Sequence, residues 1–206
     1  MNPRTQKQVI AGPAGAIECA IDRPVGHVTP KGLALICHPN PTQGGTMDNK
    51  VVQTLARAFV ELGLRTVRFN FRGIGKSEGV WDEGRGEIDD ALAVLQAVRE
   101  PGEPVVLAGF SFGGFVASQA ALRLPEAERA QRLVLVGPAT SRFDTAPVPA
   151  DTLVIHGEQD DVVPLSAVLD WARPQSLPIT VVPGVGHFFH GQLPLLKSIV
   201  LRAWLS

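Results

Sequence analysis

Val105 to Leu122 runs 18 residues without a charged side chain, and it changes character halfway along. The first part, Val105-Val106-Leu107-Ala108, favours a strand, the last part is rich in Ala and Ser, and Gly109, Ser111, Gly113 and Gly114 lie between them. Eighteen uncharged residues reach the lower limit for crossing a bilayer. The central glycines and the switch in residue type argue instead for a buried strand that turns directly into a buried helix. A strand and helix of this kind need a sheet with both faces covered.

The rest of the chain keeps that rhythm. Leu33 to Cys37, Thr66 to Phe71, Val105 to Gly109, Leu133 to Val136, Thr152 to His156 and Ile179 to Val182 are short apolar runs that read as buried strands. Asn49 to Leu62, Glu87 to Arg99, Phe112 to Leu124, Leu165 to Ala172 and Leu193 to Trp204 carry helical spacing. The alternation predicts an α/β fold of right-handed βαβ units with helices on both faces. Gln8 to Ala11 and Ala16 to Ile21 flank Gly12-Pro13-Ala14-Gly15 and predict an antiparallel hairpin at the sheet edge. The total is about eight strands.

Composition bounds the partners. With 206 residues, 45% hydrophobic and 19% charged, the chain suits one domain over 1–206. Nineteen Lys and Arg against 20 Asp and Glu leave a net charge of −1, so neither nucleic acid nor a membrane surface is expected as a partner. Cys19 and Cys37 are too few and too far apart for a disulfide framework or a zinc site and read as buried thiols, which suits a reducing cytoplasm. Met1 to Ala20 has no apolar run of signal-peptide length. Oligomeric state is not encoded in any feature of this kind.

Gly109-Phe110-Ser111-Phe112-Gly113 fits G-x-S-x-G at the junction of the predicted strand and helix, where a strained turn exposes a serine hydroxyl. The alternative is a plain turn in which Ser111 caps the helix. A serine nucleophile needs an imidazole to take its proton and a carboxylate to orient that imidazole. Downstream, His156-Gly157-Glu158-Gln159-Asp160-Asp161-Val162-Val163-Pro164 supplies an acidic loop after one strand, and Gly186-His187-Phe188-Phe189 follows the last. His187 is the candidate base. His156 is expected to pack beneath its loop, and His187 with His190 at i, i+3 lacks a nearby carboxylate, so no metal and no cofactor is expected.

These three blocks, in this order, resemble the catalytic blocks of the α/β-hydrolase superfamily over nearly the whole chain. His38-Pro39-Asn40-Pro41, Gly44-Gly45-Thr46-Met47-Asp48-Asn49-Lys50 and Arg68-Phe69-Asn70-Phe71-Arg72-Gly73-Ile74-Gly75-Lys76-Ser77 resemble, more narrowly, small bacterial α/β-hydrolases of the dienelactone-hydrolase and esterase kind, described mostly as predicted hydrolases. The resemblance implies that the first aspartate of the acidic loop, Asp160, is the orienting acid, with Asp161 the alternative. It implies an oxyanion hole from the backbone N–H of Phe112 and of the loop after the Leu33 to Cys37 strand. Relatives commonly carry His-Gly there; here Pro39 and Pro41 have no N–H, which leaves Asn40 as donor, with an ordinary Pro-rich surface turn the alternative.

Other patterns read as structure. Gly73 to Ser77 ends in G-K-S, but position 70 is Asn where a phosphate loop needs Gly, so a turn anchored by Arg72 is expected. Glu87, Asp89 and Asp90 are expected as favourable charges at a helix amino end. Phe188 and Phe189 are expected to pack around the His187 loop. Only Gly137 to Asp151 separates two successive strands, too short for a cap domain, so an open site bordered by Trp81 to Gly86 and Gly44 to Asn49 is expected. The expected activity is hydrolysis of a small-molecule ester or thioester through an acyl-enzyme. Peptide, lactone or acyl-transfer chemistry on the same residues, and a non-catalytic partner-binding role, are the alternatives.

Overall fold

The computed structural model describes residues 5–26 and 29–204; the first four residues of the Met1 to Ala20 stretch lie outside them. Eight strands form one sheet: β1 (Gln6–Gly12), β2 (Gly15–Asp22), β3 (Leu33–Cys37), β4 (Arg65–Phe69), β5 (Val105–Phe110), β6 (Arg132–Val136), β7 (Leu153–Gly157) and β8 (Ile179–Val182). Their spatial order is β1-β2-β4-β3-β5-β6-β7-β8. β1 pairs with β2, and β2 with β4, in antiparallel fashion, and every later pair is parallel. The helices are α1 (Lys50–Glu61), α2 (Arg85–Val98), α3 (Phe112–Arg123), α4 (Leu165–Ala172) and α5 (Leu193–Arg202).

The period-two geometry of a strand sorts its side chains between two cores. Leu33, Leu35 and Cys37 point to the α2 and α3 side with Val105 and Leu107, while Ala34 and Ile36 join Val106, Ala108 and Phe110 beneath α1 and α5. Both faces are apolar, which is why these strands read as unbroken hydrophobic runs. A third, smaller cluster seats α4 through Val168 and Ala172 against Val154 and Val163. Phe59 of α1 is fully buried, and its truncation to Ala would cost about 3–5 kcal/mol.

Several element ends are set by polar contacts. β4 stops at Phe69 instead of Phe71, because the Phe71 N–H turns to the His38 ring and the Asn70 side chain bridges Met47 N–H and Glu18. α2 begins at Arg85, two residues early, because the Glu87 carboxylate reaches back to the N–H groups of Gly84 and Asp82. Asp90 is not a charge at the helix end: it is fully buried and binds Arg72 through both oxygens, at 2.7 and 3.0 Å, and also accepts the Arg72 backbone N–H. α5 ends at Arg202, before Trp204, whose ring lies under the Arg132 guanidinium.

From β6 to β7 the chain passes through turns with no helix, so no cap covers the carboxyl ends of the strands. The 18-residue uncharged run is β5 followed by α3, and among the described residues no helix is long and apolar enough to cross a membrane.

Candidate active site

The parallel strands deliver the loops after β3, β5, β6, β7 and β8 to one edge of the sheet. Ser111 stands between β5 and α3 with φ 56° and ψ −119°, a conformation that residues with a Cβ rarely adopt. Its N–H donates to Val136 O at 2.9 Å, and its carbonyl accepts from Gly114 and Ala139. The side chain makes no capping bond to α3, so its hydroxyl is not spent on the helix. The glycines make the turn possible. A Cβ on Gly109 would lie 2.0 Å from Gly113 O, and one on Gly113 would lie 2.2 Å from Cys37 O.

His187, in the loop between β8 and α5, is 3% exposed, and its ring packs on Phe110 at 4.8 Å between centroids. Its Nδ1 lies 2.6 Å from Asp160 Oδ2. A carboxylate accepts, so Nδ1 carries the proton and Nε2 is the basic nitrogen. Asp160 Oδ1 accepts the N–H groups of Val162 and Val163 at 2.9 and 2.7 Å. Burial pushes the Asp160 pKa up, but the bonds from His187 and the Val163 amide outweigh it and hold the carboxyl below its usual range. Asp161 is exposed. Gly137, with φ 49°, backs this pair: a Cβ there would meet the His187 ring at 3.4 Å and Asp160 Oδ2 at 3.5 Å.

His156 ends β7 under the same loop. It is fully buried, with Nε2 3.0 Å from Val163 O and 3.6 Å from Asp160 Oδ2. His190 is exposed, its ring beside Phe188. Phe189 is buried, whereas Phe188 is 44% exposed and meets the His187 ring edge-on. Among the described residues no three His, Cys, Asp or Glu side chains stand together as a metal site.

Asn40 follows β3. Its side chain accepts from the Thr42 N–H and hydroxyl, and its carbonyl accepts from Gln43 and Gly45, which closes a tight turn. Neither the Asn40 N–H nor the Phe112 N–H, in the first turn of α3, has an acceptor among the described residues. His38 pins this turn: Nδ1 donates to Pro39 O at 2.7 Å, and Nε2 accepts the Phe71 N–H at 3.1 Å. Burial pushes its pKa down to about 4, against the opposing Pro39 bond, so the ring is neutral. Sequence patterns pointed to the motif around His38 but not to this role, nor to Gly137; the Gly-Pro pair directly after β6 was the available signal for the latter.

A separate cleft of about 710 Å³ opens between α1, Lys197 of α5 and the end of β2, lined by Asp22, Gln53, Arg57, Val60 and Arg68 among others. None of the residues above lines it.

An antiparallel edge, a parallel centre, a serine on the central strand-to-helix turn and no cap together define a lidless α/β-hydrolase. Residues 29–150 match the hydrolase family model described as serine aminopeptidase, S33, and the chain belongs to that family. It is similar to an α/β serine hydrolase without lid from Xanthomonas campestris, at 39% identity over 98% of this chain and 94% of that one, with a TM-score of 0.87. It is similar also to an α/β serine hydrolase homologue from Coxiella burnetii, at 40% identity over 96% of each chain, with a TM-score of 0.83. An uncharacterized protein of Rickettsia prowazekii is 31% identical over 86% of this chain and 79% of its own length.

Proposed function

We propose that this hydrolase is a serine esterase or thioesterase acting on small acyl substrates through a covalent acyl-enzyme. The observation that carries the reading is the 2.6 Å bond from His187 Nδ1 to an Asp160 already held by two amides, which fixes the tautomer that leaves Nε2 basic. Ser111 Oγ attacks the carbonyl carbon as its proton passes to His187 Nε2. The oxyanion is met by the N–H groups of Phe112 and Asn40. Collapse expels the leaving alcohol or thiol, which takes the proton from His187. Water then attacks the acyl-enzyme, again giving a proton to His187, and the acid departs with Ser111 restored. The uncapped edge favours short or extended acyl chains over lipids that need enclosure. Two free buried thiols, Cys19 and Cys37, suit a reducing compartment such as the cytoplasm.

Treatment with a fluorophosphonate tests the reading. One adduct is expected, on Ser111, absent from Ser111→Ala; an adduct that persists in that variant, or none on the wild type, would overturn it. The family description favours a second reading, cleavage of an amino-terminal peptide bond. That reaction also needs a carboxylate for the substrate ammonium, and both oxygens of Asp160 are already occupied. Turnover of a short p-nitrophenyl ester in preference to an aminoacyl p-nitroanilide separates the two.

A further inference from the structure

Asp160 faces two imidazoles, and the reaction proposed above uses one of them. The second, His156, sits at the end of β7, four residues before Asp160, where the loop folds back over the strand. Its Nε2 is 3.0 Å from Val163 O, and a carbonyl can only accept, so Nε2 carries the hydrogen. The same nitrogen lies 3.6 Å from Asp160 Oδ2, the oxygen that binds His187, beyond hydrogen-bond length but near enough for its N–H dipole to act on the charge there. Val163 is thus held from both sides, its N–H by Asp160 Oδ1 and its carbonyl by His156.

What the fold asks at this position is a donor to the Val163 carbonyl, and an imidazole is not the only side chain that supplies one. His156 is fully buried, and its Nδ1 has no hydrogen-bond partner among the described residues. A buried acceptor without a donor is destabilising and offsets part of what the bond to the Val163 carbonyl contributes. The charged and titratable groups that bear on it are Asp160, from its own loop, and His187, from the loop after β8. Burial lowers the His156 pKa, Asp160 and the Val163 bond oppose this, His187 adds to it, and the net direction is down. The ring is therefore neutral and does not compete with His187 as a cation.

We infer that His156 is a positioning residue for the reaction: through its Nε2–H it clamps the Asp160 loop and shares the charge on Oδ2, so that His187 meets a carboxylate of fixed place and basicity. This rests on the Ser111, His187 and Asp160 reading. Without the clamp, Asp160 swings more freely and its Oδ2 becomes more basic. It then holds the His187 proton more tightly, and the acidic limb of the rate profile moves to higher pH.

The test compares His156→Phe, which keeps a buried ring without a donor, with His156→Gln, whose amide N–H reaches the level of Nε2. With p-nitrophenyl acetate, the Phe variant is expected to keep KM, to lose about tenfold to a hundredfold in kcat, and to show the shifted acidic limb. The Gln variant is expected to recover most of kcat and the wild-type limb. Urea midpoints show whether each variant is folded; if Phe is not tolerated, His156→Asn, too short to reach that level, takes its place with the same expected losses. Wild-type kcat and an unmoved limb in the donor-less variant would overturn the inference, as would equal losses in Gln and the donor-less variant. Failure of wild-type Ser111 to take up a fluorophosphonate would instead remove the underlying reading.

Discussion

Ser111 holds a backbone conformation that costs roughly 1–3 kcal/mol in a residue with a Cβ, and its own hydrogen bonds to Val136, Gly114 and Ala139 keep it there. Glycine meets no such penalty. Ser111→Gly is therefore expected to raise stability by about 1 kcal/mol, read as a higher urea midpoint, while abolishing ester turnover. His38 makes a pH prediction. Its ordinary pKa of 6.5 falls to about 4 in the fold, so between these values the unfolded chain binds a proton that the folded ring refuses. Stability attributable to His38 is full above about pH 6.5, falls as pH drops, and is lost below about 4, a total of about 3 kcal/mol. Buried His156 adds to the same slope, so the measurement is the difference in urea midpoint between wild type and His38→Gln from pH 7 to 4, which should narrow as pH falls. The residues at these positions differed in legibility. G-x-S-x-G between a strand and a helix is a local pattern, so the place of Ser111 at that turn could be read directly. The partnership of His156 with Asp160, or of His38 with the Phe71 amide, depends on where a loop folds back, and spacing does not encode that.

At the level of elements, the buried Arg72–Asp90 pair ties the turn after β4 to the first half of α2. Asp90 has no exposed surface, so Asp90→Ala leaves the Arg72 guanidinium without a partner and is expected to cost about 3–5 kcal/mol. Replacing both, as Arg72→Met with Asp90→Leu, should recover most of that loss; chemical denaturation of the three variants measures it. The pair also shows why element ends were harder to read than element identities. β3, α4 and β8 are bounded as their apolar patterns require, because the pattern and the turn residues coincide. α2 starts earlier than its apolar stripe because Glu87 caps it, and Asp90 looked like a helix-end charge only while its partner 18 residues upstream was unknown.

For the whole molecule, the number of strands and their mostly parallel pairing followed from alternation, and the missing cap followed from the short β6–β7 connection. The spatial order, with β4 between β2 and β3, has no local signature. An uncapped edge has a kinetic consequence: the initial rate with p-nitrophenyl butyrate should rise hyperbolically through the solubility limit of the substrate, without the jump that lid opening at an interface produces. The two free cysteines bring a further consequence. Cys19 lies on β2 against Phe69 of β4, Cys37 lies at the sheet centre, and burial raises both thiol pKa values, so neither is poised to react in the closed fold. Alkylation at each position must wait for its strand to leave the sheet. The chain thus contains two internal clocks, one for the antiparallel margin and one for the parallel centre. They keep the same time if the sheet opens as a unit, and Cys19 runs ahead if the margin peels away first.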